Sequence, residues 1–94
     1  MKIKTRRWDA AEHLETDEDM AAYLEAALET GDAELVSATL SDIARAKGLG
    51  AISLQTGLGR ASLNRALSPE GKPEFATVMK IVRALGLKLH ASAS

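Results

Sequence analysis

The chain has 94 residues and a mass of 10.0 kDa, which is room for one small domain, because two separate cores would each be too small to fold alone. It has no cysteine and no long apolar run, which excludes disulfides and cysteine-based sites and gives no sign of a signal peptide or membrane anchor, so we expect a cytoplasmic protein. Aromatic residues make up 3% of the chain and hydrophobic residues 46%, a composition that favours an all-α fold with an aliphatic core. The net charge of −1 excludes a protein that is strongly basic or acidic as a whole.

The charge is divided unevenly along the chain. Residues 1–8 carry a net +4, residues 9–34 a net −10, and residues 35–94 a net +5. Because surface fields are screened over about 8 Å in physiological salt, such a chain can attract a basic partner with one part and a polyanion with another. The alternative is that these charges only solvate helix faces and a basic tail.

Capping residues predict the first two helices. Thr16 is a hydroxyl N-cap followed by three acids, and Gly31 is a C-cap glycine, so we expect a helix over 17–30. Asp32 as N-cap and Gly48 as stop predict a second helix over 33–47. Apolar residues at helical spacing on these two helices are Met20, Leu24, Ala27, Leu28, Leu35, Val36, Leu40, Ile43 and Ala44.

Two shorter periodic stretches follow, over 50–56 and 60–67. Only Gly57-Leu58-Gly59 separates them, so the two helices must cross steeply, as in a helix-turn-helix. We expect a small core shared by the pair, formed by Ile52, Thr56, Leu58, Leu63 and Leu67.

The C-terminal part contains a loop, a helix and a short tail. Two prolines and a glycine over 68–73 predict a loop, and helical period returns from Glu74 to a stop at Gly86. The expected buried face of this helix holds Phe75, Val78, Val82 and Leu85. The tail over 87–90 alternates apolar and polar residues, which is compatible with a short strand.

The second helix of the pair has polar and basic residues where a DNA-reading helix needs them. Arginine and asparagine can each bridge two groups on a base edge, and no acid occurs between Asp42 and Glu70. The candidate residues are Arg60, Ser62, Asn64 and Arg65. A purely structural helical hairpin is the alternative interpretation.

Several motifs resemble known families. The stretch LGAISLQTGLGRASLNRAL (49–67) resembles the helix-turn-helix of Xre and lambda-repressor-like regulators. The HigA-like antidote proteins of bacterial addiction modules are similar to the chain in five further segments: WDAAEHL (8–14), AYL (22–24), DIARAKG (42–48), ALSPEG (66–71) and ALGLKL (84–89). The resemblance implies a lambda-repressor-like bundle of about five helices. It also implies an antitoxin that binds and blocks a RelE/HigB-type ribonuclease toxin and represses its own operon as a DNA-binding dimer.

The resemblance also implies roles for individual residues. The family's turn glycine matches Gly57, the small residue packed against it matches Ser53, and the buried position of the reading helix matches Leu63. The expected DNA-binding residues are Gly59, Arg60, Ala61, Ser62, Asn64 and Arg65. Gly50 and Gly59 depart from the family, which has a phosphate-contacting side chain and a Ser or Thr cap there. The alternative function is therefore a helix-turn-helix protein-interaction module or regulator that lacks one of the two activities.

The acidic segment, residues 9–34, is complementary in charge to a basic ribonuclease. Opposite charges speed the encounter of two proteins, and apolar anchors then hold the complex. The expected toxin-binding residues are Trp8, Leu14, Asp17, Glu18, Asp19 and Tyr23. Packing within the protein is the alternative role for Trp8 and Tyr23. We thus expect residues 1–31 to form a toxin-facing arm and acidic helical segment, and residues 32–94 a DNA-binding region, within one compact domain.

Other chemistries have little support. Residues 57–62 approach a dinucleotide-binding pattern but lack its last glycine and a preceding strand. Asp9, His13 and Asp17 would share a helix face only if the cap at Thr16 did not break that helix. We therefore expect no catalytic residue, no metal, no cofactor, no small-molecule substrate and no membrane partner. The helix over 74–86 and the tail over 87–90 are candidate dimer surfaces, because two half-sites need two reading helices.

Overall fold

The computed structural model describes residues 13–68 and 70–93. This part of the chain forms five helices: α1 (Asp17–Thr30), α2 (Ala33–Lys47), α3 (Leu49–Thr56), α4 (Arg60–Ala66) and α5 (Phe75–Ala84). The predicted all-α fold is confirmed, and the predicted helix ends lie within one or two residues of the observed ones.

The first two helices begin at the predicted caps. Thr16 Oγ1 accepts a hydrogen bond from the Asp19 backbone N–H at 3.0 Å, and the Asp19 carboxylate accepts one from the Thr16 N–H at 3.2 Å, which is a reciprocal capping box. Asp32 Oδ1 accepts from the N–H groups of Glu34 and Leu35 at 3.0 and 3.3 Å. Each cap satisfies backbone donors that a helix start leaves free, which stabilises a helix by about 1 kcal/mol.

The core lies where α3 meets its neighbours. α1 packs on α2, α2 packs on α3, and α3 packs on both α4 and α5. Five core residues are completely buried, at 0% exposure, and they come from α2, α4 and α5 with its C-cap: Ile43, Ala44, Leu63, Ile81 and Leu85. Ile52 of α3 is buried beside them, at 1% exposure. The arrangement holds α3 and α4 at a defined angle because both contribute to the same core.

The predicted face of α5 is wrong at one end. Phe75 is 71% exposed, whereas Ile81 is completely buried. The residues of α5 that face the core run from Val78 to Leu85 at the spacing i, i+3, i+4, i+7. Phe75 is the first residue of the helix and lies outside this core-facing stretch. Leu28 and Leu35, next to the α1–α2 turn, are also 42% exposed.

The tail over 87–90 is not a strand. Leu87 and Leu89 are half-buried against the core, and no described residue lies in a strand that could pair with them. Its alternating pattern therefore reflects packing of an irregular segment on the helices.

The loop after α4 folds back on the end of that helix. A Cβ atom on Gly71 would lie 2.1 Å from the Arg65 carbonyl oxygen and 2.8 Å from that of Ala66. Only glycine allows this approach of the two backbone segments, so Gly71 determines the path of the loop from α4 to α5.

Within the described residues, none of the helices combines the length and the apolar character needed to cross a membrane.

Candidate functional site

The turn between α3 and α4 is held by side chains of α3. Gly57 adopts a left-handed conformation at φ 78°, and its N–H donates to the Ser53 carbonyl at 3.0 Å. The Ser53 hydroxyl donates to the Leu58 carbonyl, and the buried Thr56 hydroxyl donates to the Ile52 carbonyl at 2.8 Å and accepts from the Leu58 N–H at 3.2 Å. These bonds fix the direction in which α4 leaves the turn.

The small core predicted for the helix pair is present. Ile52, Thr56, Leu63 and Leu67 are buried and Leu58 is half-buried. Because Leu63 lies at the centre of α4 and is completely buried, the rotation of α4 about its axis is determined, and with it the set of residues that face solvent.

The outward face of α4, together with its N-cap residue, holds all six predicted DNA-binding residues. Each of them is exposed: Gly59, Arg60, Ala61, Ser62, Asn64 and Arg65. Across the described part of the chain, no hydrogen bond or ion pair engages the side chains of Arg60 or Arg65. Free guanidinium groups on one short helix can contact phosphates or guanine edges.

The start of α4 has no side-chain cap. Gly59 is the N-cap residue, with φ −68° and ψ 161°, and no side chain within 13–68 or 70–93 accepts a hydrogen bond from the first N–H groups of the helix. The departure noted at Gly59 therefore has a structural consequence, since the first-turn donors of α4 remain available to solvent or to a ligand oxygen.

The predicted toxin-binding residues other than Tyr23 fall into three groups. Asp17, Glu18 and Asp19 are exposed in the first turn of α1, Leu14 is half-buried and packs against the core, and Trp8 lies outside the described residues. Two of the three acids also have contacts within the protein. Asp19 forms the capping box, and Asp17 Oδ1 accepts from Lys47 Nζ at 2.9 Å.

Tyr23 joins α1 to α2. Its ring is half-buried, and its hydroxyl donates a hydrogen bond to Asp42 Oδ2 at 2.7 Å, while the other Asp42 oxygen pairs with Arg45. Burial, together with the hydrogen bond to the negative Asp42 carboxylate, raises the pKa of Tyr23 to about 12. These are the contacts expected of a packing residue.

Three glutamates form an acidic ridge on α1: Glu18, Glu25 and Glu29. Only Glu18 is among the predicted toxin-binding residues. All three are exposed, at spacings of seven and four residues, which places them within about 40° of one another around the helix. The buried face of α1, with Met20, lies on the opposite side. The 3.6-residue period of the carboxylates was the signal that could have added Glu25 and Glu29.

Comparison with known proteins agrees with these features. The model of a protein family described as probable addiction module antidote protein matches residues 4–93. The chain belongs to this antidote family. A relative in Haemophilus influenzae, described as an uncharacterized protein, is 39% identical over 94 residues, covering 100% of this chain and 97% of the relative. No solved structure matches the chain.

Membership of the antidote family supports an antitoxin role and implies a cognate toxin as partner. The family is typically non-enzymatic. The described residues present two exposed surfaces that differ in charge: the outward face of α4 and the acidic ridge of α1.

Proposed function

We propose that the chain is a HigA-like antitoxin with two binding activities in the cytoplasm. One neutralises a RelE/HigB-type ribonuclease toxin by direct contact, and the other represses the chain's own operon by DNA binding. The observation that carries the DNA-binding half is the outward face of α4, where Arg60 and Arg65 are exposed and have no partner among the described residues. Buried Leu63 determines the rotation of this helix.

On DNA, α4 would lie in the major groove as the reading helix of a helix-turn-helix. Arg60 and Arg65 can each bridge the two acceptors of a guanine or neutralise a phosphate, and Asn64 can bridge the two groups of an adenine. Ser62 can donate or accept. The absence of acids between Asp42 and Glu70 supports this role, because a carboxylate on this surface would be repelled by DNA phosphates.

For the toxin, residues 1–31 would form the contact surface. A ribonuclease must hold a polyanion and is expected to be basic, so the acidic ridge of α1 is complementary to it. Trp8, Leu14 and Tyr23 are the apolar candidates for anchors beside the acids, with Asp17, Glu18 and Asp19 at the start of the helix. Residues 32–94 would then serve DNA binding.

We further propose that the DNA-binding form is a homodimer, since a two-fold operator needs two reading helices. The outer face of α5 supports this role, because Phe75 and Met79 are exposed apolar residues one turn apart, at 71% and 37% exposure. Sedimentation at micromolar concentration should show a dimer that Phe75→Ser weakens. A monomer at that concentration would contradict this part of the proposal.

A salt titration tests DNA binding. The chain is mixed with a duplex from the region upstream of its own reading frame and with a random duplex. We expect tighter binding to the former, with an affinity that falls steeply as salt rises. Arg60→Ala/Arg65→Ala should lower the affinity strongly and reduce the salt slope by up to about two, one for each lost phosphate contact. Lys72→Asn is the control, since it removes an exposed positive charge from outside both the helix pair and the proposed dimer face, and asparagine tolerates the positive φ of this position.

One specific observation favours the alternative of a protein-interaction module without DNA binding. The start of α4 has no side-chain cap at Gly59, which weakens a helix of seven residues. Equal, weak binding to both duplexes that the arginine variant leaves unchanged would establish this alternative and refute the DNA-binding half.

Charge reversal tests toxin binding. Glu25→Lys/Glu29→Lys changes two ridge residues and leaves the cap at Thr16 and the Asp17–Lys47 ion pair intact. We expect weaker inhibition of the co-expressed toxin from the neighbouring reading frame, with an unchanged melting temperature. Glu70→Lys/Glu74→Lys makes the same change of charge away from α1 and should inhibit like the wild type. Equal inhibition by both variants would place the toxin surface elsewhere.

A further inference from the structure

Gly50 and Arg60 approach each other across the helix pair. Gly50 lies in the first turn of α3, and Arg60 is the first residue of α4. A Cβ atom on Gly50 would lie 3.3 Å from Arg60 Nη2, which is closer than ordinary van der Waals contact. Beyond its own helix backbone and chain neighbours, it would meet no other atom of the described residues within 4 Å. The guanidinium thus borders the position that a side chain at residue 50 would take, and a Cβ there would require it to shift by a few tenths of an ångström.

The backbone does not require glycine at position 50. The glycines with positive φ are Gly31, Gly48, Gly57 and Gly86, so Gly50 has an ordinary helical conformation that any residue can adopt. Glycine inside a helix is less favourable than alanine, because it loses more conformational freedom on folding. The feature of the surroundings that a larger residue would disturb is the guanidinium of Arg60.

We propose that Gly50 is a positioning residue for Arg60 in DNA binding, an inference that rests on the proposed DNA-binding function. Without a side chain at position 50, the space beside the start of α3 stays open to the Arg60 guanidinium, which can then turn its N–H groups towards a base edge or a phosphate. A guanidinium makes two parallel bonds to a guanine or a phosphate only in a narrow range of orientations. A side chain at position 50 displaces the guanidinium from that orientation while leaving the fold intact, because the atom it meets is the end of a flexible side chain.

The test is a set of double-mutant cycles read out by affinity for the duplex from upstream of the reading frame. Arg60→Ala should lower the affinity about tenfold, as expected for the loss of one bidentate contact. Gly50→Leu should approach that loss and Gly50→Ala should cause a smaller one, while both variants melt at the wild-type temperature or above. In the Arg60→Ala background, Gly50→Leu should cause no further loss and no further change in salt slope.

Arg65 provides the matched control. It lies on the same helix as Arg60 but is not among the atoms within 4 Å of position 50, so Gly50→Leu should cause its full loss in an Arg65→Ala background. Equal losses from Gly50→Leu with and without Arg60 would show that the new side chain collides with DNA itself, and they would overturn the positioning role. A Gly50→Leu protein that binds like the wild type would do the same. If the wild type shows no salt-dependent DNA binding, the DNA-binding function fails, and the role of Gly50 fails with it.

Discussion

Replacing Tyr23 by phenylalanine removes the hydroxyl that donates to Asp42 and keeps the ring that packs between α1 and α2. A hydrogen bond to a charged group contributes about 1.5–3 kcal/mol. Asp42 retains Arg45 as a partner after the substitution, so we expect the free energy of unfolding to fall by roughly 1–2 kcal/mol. In a domain of this size each kcal/mol changes the melting temperature by about 4–8 °C, which predicts a decrease of roughly 5–15 °C.

Thermal and urea unfolding followed by circular dichroism measure this change. Asp42→Asn provides the matched background, because Tyr23→Phe should cost less stability once the negative acceptor is gone. A Tyr23→Phe protein that melts within a degree or so of the wild type would refute the conclusion that this hydroxyl joins α1 to α2. So would a full loss of stability in the Asp42→Asn background.

The same hydroxyl predicts a pH dependence. The pKa of Tyr23 is raised from 10.0 to about 12, so its contribution to stability is complete below pH 10 and is lost as the pH rises towards 12. The chain has one tyrosine, so the ultraviolet absorbance of tyrosinate reports on Tyr23 alone. Asp42→Asn should lower the midpoint of that titration, and a midpoint near 10 in the folded wild type would contradict the buried hydrogen bond.

Three further substitutions test the fold around the two surfaces. Gly71→Ala places a methyl group 2.1 Å from a backbone oxygen, so it should lower the free energy of unfolding by about 3 kcal/mol. Gly50→Ala meets only a flexible side chain and should not cause this loss. Equal urea midpoints for the two variants would contradict this expectation. Asp32→Ala removes two cap hydrogen bonds and should lower the free energy of unfolding in urea by about 1 kcal/mol. Asp32→Ser should restore most of that stability. An Asp32→Ala protein as stable as the wild type would argue against the cap. Lys47→Ala breaks an exposed ion pair with Asp17 and should change stability by less than about 1 kcal/mol, and a larger loss would show that this pair holds α1 in place.

The candidate site was predictable where its residues belong to one continuous segment. The helix pair, its glycine turn, buried Leu63 and the exposed polar residues from Arg60 to Arg65 all follow from the period and punctuation of residues 49–67. Their contact with DNA stays a prediction, as do the toxin contacts of residues 1–31. The role of the acidic residues 9–34 was inferred from their charge, and the period of Glu18, Glu25 and Glu29 on the predicted helix was sufficient to place them on one ridge.

The sequence by itself determined where α1 and α2 begin and end. A capping side chain bonds to an N–H group two or three residues away, so Thr16 and Asp32 act through local contacts that are visible in the sequence. Only the tertiary structure decided that Tyr23 bonds Asp42, that Phe75 faces solvent, and that Arg60 lies over Gly50. Each of these features depends on how separate parts of the chain pack together. The spacing of residues within one segment does not specify that packing.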